Sequence, residues 1–253
     1  MEIRDKICVI TGAASGIGRA MARRFKQEGA AGLVLADVSE DALNAVAEET
    51  GAIAVLTNVA DESAVNHLIQ TAENAFGRID LLCSNAGIGT PGGPEVATEE
   101  WQRIWDINVM AHVFAARAAL PSMLARGEGY LLNTASAAGL LSQIGSAPYA
   151  VTKHAAVAFA EWLSITYGDR GVKVSVLCPQ AVRTAMTAGN EDGVASVDGM
   201  IEPEQLCDTV VETLESEQFL ILPHAEVLTY MQRKTSDYDR WLAGMRKLQA
   251  RYS

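Results

Sequence analysis

Tyr149 and Lys153 stand four residues apart, just after Pro148. Residues at this spacing share one face of an α-helix, so a helix here would bring the phenol and the ammonium together. An ammonium about 4 Å from a phenolate would attract it by roughly 4 kcal/mol, which lowers the tyrosine pKa toward neutrality, while desolvation opposes the shift. The pair is therefore predicted to exchange a proton with an alcohol or carbonyl oxygen.

A serine joins this pair. Ser136 follows an apolar run that predicts a strand, at the carboxyl edge where open α/β sheets place their sites. Its hydroxyl is predicted to hydrogen-bond the same substrate oxygen. Each residue also has an ordinary interpretation, because a Tyr/Lys pair often decorates a surface helix and a serine after a strand is often a turn residue.

A glycine-rich loop, Thr11–Gly18, follows the first predicted strand and leads directly into a helix. Glycines let the backbone turn tightly and approach a pyrophosphate at the helix N-terminus. No Lys-Ser/Thr pair follows the last glycine, which excludes a nucleotide-triphosphatase loop. The predicted dinucleotide contacts here are Gly12, Ser15, Gly16, Ile17 and Gly18.

Asp37 ends the second predicted strand, about 20 residues past the glycines, where a carboxylate accepts hydrogen bonds from an adenosine ribose. The same charge would repel the 2′-phosphate of NADP, and the neighbouring Ser15 and Val38 are neutral. NAD is therefore the predicted cofactor. The alternative is that Asp37, with Glu40, caps the following helix.

Short apolar runs alternate with longer helical patterns along the chain. The predicted strands are Ile7–Ile10, Gly32–Ala36, Ile53–Leu56, Leu81–Ser84, Tyr130–Thr134, Val174–Leu177 and Phe219–Leu222. The predicted helices lie near 16–28, 40–50, 61–76, 98–125, 149–168 and 202–216. This alternation predicts an α/β fold with a doubly wound, Rossmann-type, mostly parallel seven-stranded sheet. We expect a single catalytic domain over residues 1–222, with a helical extension of it at 223–253.

The motifs gain specificity in combination. The glycine loop, Ser84–Gly87, Asn108, Ser136 and the Tyr149/Lys153 pair resemble the short-chain dehydrogenase/reductase family in order and spacing, over about residues 3–190. The resemblance implies hydride transfer between a secondary alcohol or ketone and a nicotinamide.

The resemblance also implies a role for each catalytic residue. Tyr149 would be the general acid/base, Ser136 would orient the substrate oxygen, and Lys153 would bind the nicotinamide ribose and lower the tyrosine pKa. Asn108 would hold a water in a proton relay. Further cofactor contacts implied by the resemblance are Asn58, Val59, Asn85, Ala86, Gly87, Tyr149, Lys153, Pro179, Val182 and Thr184.

The chain departs from the family's pattern in three places. Asn58 replaces a frequent aspartate near the adenine, and Gln180 replaces the glycine after Pro179. The family's usual Gly/Asp-rich ending is absent. None of these departures removes a catalytic group, although Gln180 predicts a different shape for the loop beside the carboxamide.

The predicted substrate pocket is apolar. Its expected lining is Ala138, Leu140, Leu141, Ile144 and Met186, with no Lys or Arg apart from Arg183. This predicts a hydrophobic, uncharged secondary alcohol or ketone. Residues 185–200 are small, acidic and glycine-rich, and are interpreted either as a mobile substrate loop or as a surface loop.

Two helical segments, Ile107–Leu120 and Ala155–Ile165, are apolar nearly all round. A helix on a sheet needs only one apolar face, so a homo-oligomer, tetramer or dimer, is predicted to cover the other. The C-terminal extension carries an apolar stripe at helical spacing among basic residues, predicted to pack on its own domain or on a neighbouring subunit. The stripe comprises Tyr238, Trp241, Leu242, Met245 and Leu248.

The net charge of −11 argues against nucleic-acid binding. We expect no signal peptide, no membrane span and a cytoplasmic protein. Its four cysteines are predicted to be buried free thiols, and its histidines lack metal-ligand spacing.

Two alternatives to an NAD-dependent alcohol dehydrogenase remain: an NADP-dependent ketone or 3-oxoacyl-thioester reductase, and a non-catalytic dinucleotide-sensing protein.

Overall fold

A computed structural model describes residues 1–189 and 193–252. Its strands are β1 (Ile7–Thr11), β2 (Gly32–Asp37), β3 (Ile53–Leu56), β4 (Leu81–Ser84), β5 (Gly129–Thr134), β6 (Val172–Leu177) and β7 (Leu220–Ile221). They form one sheet in the order β3-β2-β1-β4-β5-β6-β7, and each neighbouring pair is parallel. The predicted seven-stranded, doubly wound fold is confirmed.

Helices connect these strands and cover both faces of the sheet. They are α1 (Gly16–Gln27), α2 (Glu40–Thr50), α3 (Glu62–Phe76), α4 (Thr98–Trp105), α5 (Ala111–Arg126), α6 (Ala137–Leu140), α7 (Ala147–Tyr167), α8 (Pro203–Ser216), α9 (Glu226–Ser236) and α10 (Tyr238–Tyr252). The predicted helix near 98–125 is a pair, α4 and α5, joined through a π-helical turn at Asp106–Met110.

Side chains of alternate strand residues enter two separate cores. In β1, Val9 packs in a core with residues of α3, α5 and α7. Its neighbours Cys8 and Ile10 pack in the opposite core with residues of α1, α2 and α8. Burial on both faces explains why the strands are apolar throughout, since successive strand residues point to opposite faces. All four cysteines are buried free thiols, as predicted.

The continuous helical segment Thr98–Arg126 is 29 residues long, and its most apolar 18-residue stretch has a mean hydropathy of 1.2. Length and composition alone would let it cross a membrane. Half of that stretch is buried inside the fold, however, where α5 packs into the core beside α3 and α7. Core helices commonly share these properties, so the segment is weak support for a membrane span.

Candidate active site

A cleft of about 1710 Å³ opens where the carboxyl ends of the central strands meet. Ligand pockets usually measure about 300–1,000 Å³, so this cleft has room for more than one small molecule. The sequence-predicted residues that line it are Gly12, Ser15, Gly16, Ile17, Asp37, Asn58, Val59, Asn85, Ala86, Gly87, Ser136, Tyr149, Lys153, Pro179, Val182 and Thr184. Gly18 and Asn108 lie behind this lining and support it.

The loop between β1 and α1 depends on glycine at two positions. Gly12 has φ +66°, a left-handed conformation that favours glycine, and a Cβ there would lie 2.9 Å from the Ala86 Cα. A Cβ on Gly18 would lie 2.1 Å from the carbonyl oxygen of Gly12. The missing side chain of Gly18 therefore lets α1 begin directly against the loop, while the backbone of Gly12 lines the cleft.

The carboxylate of Asp37 organises the same end of the cleft. One oxygen accepts a hydrogen bond from the Ala14 amide at 3.0 Å, and the other accepts from the Ser39 amide at 3.1 Å. The carboxylate therefore links the glycine loop to Ser39, and Ser39 rather than Asp37 or Glu40 occupies the cap position of α2. The Asp37 side chain remains part of the cleft lining.

Asn85 joins the ends of three central strands. Its side-chain amide donates to the Thr11 carbonyl at 3.0 Å, and its side-chain oxygen accepts from the Thr134 hydroxyl at 3.1 Å. The Thr11 hydroxyl in turn accepts from the Asn85 backbone amide at 2.9 Å. These bonds tie β1, β4 and β5 together beneath the cleft and fix the position of Gly87.

Ser136 caps the short helix α6, and its hydroxyl accepts a hydrogen bond from the Ala138 amide at 3.1 Å. The hydroxyl also donates to the Pro179 carbonyl at 3.3 Å. Tyr149, near the start of α7, lines the same cleft, where desolvation by burial raises its pKa and the nearby Ser136 hydroxyl partly opposes that rise. The serine and tyrosine side chains thus line the same cleft.

The interaction between Lys153 and Tyr149 differs from the prediction. The Lys153 ammonium lies over the tyrosine ring, 5.5 Å from its centroid, and donates to the Thr134 carbonyl at 3.1 Å. Desolvation by the surrounding protein raises the pKa of Tyr149 and lowers the pKa of Lys153 to about 8. The pKa of Tyr149 is therefore raised rather than lowered as predicted, because desolvation by burial has the largest influence on it.

Asn108 lies in the π-helical turn and is fully buried. Its side-chain oxygen accepts from the Ile88 amide at 2.9 Å, and its side-chain amide donates to the Ile88 carbonyl, also at 2.9 Å. A Cβ on Gly87 would lie 3.3 Å from both the Asn108 oxygen and the Lys153 ammonium. The π-helical turn therefore holds Asn108 beside Lys153, just behind the cleft. Such turns are frequent at functional sites.

The other end of the cleft differs from the predicted apolar pocket. Ala138, Leu141, Ile144 and Met186 line it, as expected. Leu140 instead packs against the core. The centre of the predicted substrate loop, residues 190–192, lies outside the described residues.

The prediction of a lining without basic residues other than Arg183 is wrong. Arg183 pairs with Glu202, with 2.7 Å between its Nε and the carboxylate. The C-terminal helices α9 and α10 turn back over the cleft and bring other basic residues to it. The basic side chains that line it, besides Lys153, are Arg103, Arg233, Arg240, Lys247 and Arg251.

Part of the predicted apolar stripe of α10 also faces the cleft. Trp241, Met245 and Leu248 line it, whereas Tyr238 and Leu242 remain exposed. The stripe thus packs partly on its own domain, toward the substrate end of the cleft.

Lys234 attaches α9 to the substrate end of the cleft. Its side chain is buried, and its ammonium donates to the Leu140 and Leu141 carbonyls at 2.7 and 2.9 Å. It also lies 5.1 Å from the ring centroid of Trp241. One cation therefore connects the end of α6 to both C-terminal helices.

A second attachment uses Gln180, one of the departures from the family's pattern. Its side-chain amide donates to Asp198 at 2.9 Å, and the Tyr230 hydroxyl of α9 donates to the other oxygen of Asp198 at 2.8 Å. The Gln180 backbone amide donates to a ring nitrogen of His224 at 3.2 Å. The loop after β6, the segment around Asp198 and α9 are thus joined.

The sequence did not indicate these attachments. Lys234 is one of several basic residues around the stripe, and its partners are backbone carbonyls 93 and 94 residues away. The sequence shows that Gln180 departs from the family's pattern, but it does not show that the side chain bonds to Asp198. Only the helical spacing of Trp241, Met245 and Leu248 was a usable signal.

The chain is similar to known proteins along most of its length. A profile of the family described as short chain dehydrogenase matches residues 6–195. The 1-deoxy-11-beta-hydroxypentalenate dehydrogenase of Streptomyces exfoliatus is 38% identical over 250 residues, covering 95% of this chain and 90% of that protein. The meso-2,3-butanediol dehydrogenase of Serratia marcescens is 38% identical over 193 residues, covering 75% of this chain and 76% of that protein.

A solved structure is similar over nearly the whole chain. The short-chain dehydrogenase/reductase from Burkholderia phymatum, in complex with NAD, superimposes with a TM-score of 0.86 at 30% identity, covering 94% of this chain and 96% of that one. The match extends beyond the sequence motifs to the order of strands and helices. The chain therefore belongs to the short-chain dehydrogenase/reductase family of oxidoreductases.

Proposed function

We propose that this protein is an NAD-dependent dehydrogenase that interconverts a hydrophobic secondary alcohol and its ketone, with Tyr149 as the general acid/base. The observation that carries the proposal is that Ser136, Tyr149 and Lys153 share one cleft with Asp37 and the glycine loop. A hydroxyl pair for a substrate oxygen and a carboxylate for a ribose then lie on one continuous surface.

The cofactor end of the cleft fits NAD. The backbone of Gly12 and Gly16 lines the cleft and supplies the close approach that a pyrophosphate needs at the start of α1. The Asp37 carboxylate is suited to a ribose and would repel a 2′-phosphate. Thr184 packs against this loop at the edge of the cleft, because a Cβ on Gly16 would be 3.0 Å from its methyl group. The Burkholderia phymatum relative binds NAD at a similar fold.

During alcohol oxidation, the hydroxyl proton would pass to the Tyr149 phenolate while Ser136 holds the substrate oxygen. NAD, when bound, would supply the hydride acceptor for the carbinol carbon, and Tyr149 would hold its phenolate beside the positive charge of the oxidised ring. Lys153 would bind the nicotinamide ribose, and Asn108 would support proton exchange with solvent behind it. Ketone reduction would use the same groups in reverse.

The substrate assignment draws on the relatives as well as on the apolar lining. The Streptomyces exfoliatus and Serratia marcescens relatives are dehydrogenases whose names give hydroxyl-bearing substrates, a hydroxypentalenate and a butanediol. Both imply oxidation at an alcohol carbon. Ala138, Leu141, Ile144 and Met186 offer this chain's substrate an apolar surface beside the catalytic hydroxyls.

Titration of the protein with NADH and, separately, with NADPH tests the cofactor assignment through nicotinamide fluorescence. We expect tight NADH binding and much weaker NADPH binding. A screen of cyclic, aryl and long-chain secondary alcohols with NAD then tests turnover. Preference for NADPH would support the ketone or 3-oxoacyl-thioester reductase, and NADH binding without turnover would support a dinucleotide sensor.

We also propose a homo-oligomer, a tetramer or dimer, in the reducing cytoplasm where free thiols persist. The outer face of α7 exposes Trp162 and Ile165, the latter 85% accessible. Sedimentation at micromolar concentration should show the oligomer, and Ile165→Glu should dissociate it. A wild-type monomer would contradict this proposal.

A further inference from the structure

The positive charge of the cleft is concentrated at its substrate end. Arg233 on α9 and Arg240, Lys247 and Arg251 on α10 all line it. Among the described residues of the lining, the one carboxylate is Asp37, at the opposite, cofactor end. Because the chain as a whole carries a net charge of −11, this local excess of cations differs in sign from the molecule around it.

These four side chains carry unneutralised charge. Within residues 1–189 and 193–252, no ion pair or side-chain hydrogen bond involves any of them. By contrast, Arg103, which also lines the cleft, pairs with Glu100 at 3.2 Å. The cations on α9 and α10 are therefore available to an anion that enters the cleft.

The same surface of α10 is also apolar. Trp241, Met245 and Leu248 recur at intervals of four and three residues, which places them on one helical face beside the cations. Arg246 has the same charge but does not line the cleft. These apolar residues and the four neighbouring cations form one side of the cleft, which we call the wall. The wall comprises Arg233, Arg240, Trp241, Met245, Lys247, Leu248 and Arg251.

We infer that this wall binds the carboxylate of an amphipathic substrate, so that the proposed dehydrogenase acts on an apolar secondary alcohol or ketone that carries a carboxylate. The inference rests on the proposed function and replaces the uncharged substrate expected from the sequence. The apolar body would lie against Trp241 and its neighbours. The carboxylate would accept hydrogen bonds from guanidinium groups, whose planar donors match its geometry.

Helix α9 is attached to the body of the domain at two points, and the Lys234 ammonium of α9 also contacts the Trp241 ring of α10. Lys234 holds α9 to the Leu140 and Leu141 carbonyls, and Tyr230 holds it to Asp198. Arg233 is adjacent to Lys234 in sequence, so its backbone is anchored at the border of the cleft. The attachments therefore hold the backbone that carries Arg233 beside the cleft, while the cationic side chains themselves remain exposed to an incoming anion.

Binding of decanoate and decanol measures the inferred preference without requiring turnover. Both probes have the same apolar chain, and only decanoate has a carboxylate. Calorimetric titrations would use the protein with and without saturating NADH, so that a failure of cofactor binding leaves this readout intact. We expect decanoate to bind more tightly than decanol, and its affinity to fall as salt screens the cations.

The variant Arg233→Ala/Arg240→Ala tests the named residues. Exposed ion pairs usually change affinity by about two- to fivefold each, so we expect the decanoate Kd to rise about tenfold and the decanol Kd to remain constant. Arg246→Ala is the matched control and should leave both values unchanged. Unaltered thermal unfolding would show that both variants are folded.

Several results would overturn the inference. Equal affinity for decanoate and decanol would show that the wall does not select an anion, as would failure of decanoate to bind. If Arg246→Ala weakened decanoate binding as much as the double variant does, the effect would come from the protein's net charge and not from these two residues. A weaker NADH affinity in the double variant would assign the cations to the cofactor. Failure of the proposed function would appear elsewhere, as absent NADH binding or absent alcohol turnover.

Discussion

The two ends of the cleft are built in different ways. We call the first the cofactor half, formed by the Thr11–Gly18 loop, Asp37 and Asn85–Gly87, and the second the substrate half, formed by α6, α9, α10 and the segment around Asp198. In the cofactor half, short loops follow buried strands and bond to one another at close range. In the substrate half, α10 has no buried residue, and α9 depends on a few long-range bonds.

This difference has a functional meaning. Ligand contacts made by strand ends are fixed by the sheet. The same cofactor site can therefore be combined with different substrate sites. Contacts made by peripheral helices can change without disturbing the core. Substrate specificity can therefore vary at these helices. Tyr149 and Lys153 lie at the boundary, on a helix that packs against the core and faces both halves.

The largest expected effect separates chemistry from binding at this boundary. Tyr149→Phe removes the proton-transferring hydroxyl, so we expect kcat to fall about a thousandfold while the Kd for NADH stays the same. Stopped-flow or steady-state turnover and NADH fluorescence measure the two quantities. Tyr167→Phe, at the far end of the same helix, is the control and should retain activity. Normal turnover in Tyr149→Phe would mean that another group transfers the proton.

Lys153 should make the free energy of unfolding of the protein depend on pH. Burial lowers its pKa from 10.5 to about 8, so between these values the unfolded chain binds more protons than the folded one. Stability should therefore rise with pH across this window, by about 3 kcal/mol relative to Lys153→Met. Urea unfolding of both proteins at pH 7.5–10.5, without cofactor, measures the difference. If the free energies of unfolding of the two proteins changed in parallel with pH, the Lys153 ammonium would be solvated in the folded protein.

Asp37 tests whether the cofactor half selects the dinucleotide. Asp37→Asn keeps the shape but removes the charge, and we expect the NADH Kd to rise about tenfold while NADPH binding improves. The decanoate affinity of the substrate half should not change. Asp41→Asn, an exposed carboxylate on α2, is the matched control. An unchanged ratio of NADH to NADPH affinity would reduce Asp37 to its structural bonds with Ala14 and Ser39.

The smallest effect tests the attachment of the substrate half. Lys234→Met removes two charged hydrogen bonds and loosens α9, so we expect KM for the alcohol to rise about fivefold with little change in NADH affinity. Thermal unfolding should shift down by a few degrees at most, because the core does not depend on this contact. Lys26→Met, an exposed lysine on α1, is the control. A rise in the NADH Kd would show that the two halves are coupled.

The same division explains what the sequence could predict. The fold follows from apolar strands alternating with helical patterns, and the glycine loop and Asp37 occur at spacings set by one βαβ unit. Lys234, Asp198 and Arg233 carry no such signal, because their roles depend on contacts between segments far apart in the chain. The Tyr149 pKa was predicted from an assumed separation of about 4 Å with desolvation as an opposing influence, and the spacing in the sequence gives the size of neither.

The two attachments of α9 have a consequence for the protein's fluctuations. Lys234 and Tyr230 lie one helical turn apart and bind different segments, so α9 cannot separate from the cleft without breaking both sets of bonds. The segment around Asp198 and the helix should therefore open as one cooperative unit. Their amide protons would exchange with solvent at a common rate, faster than those of β1 and β4.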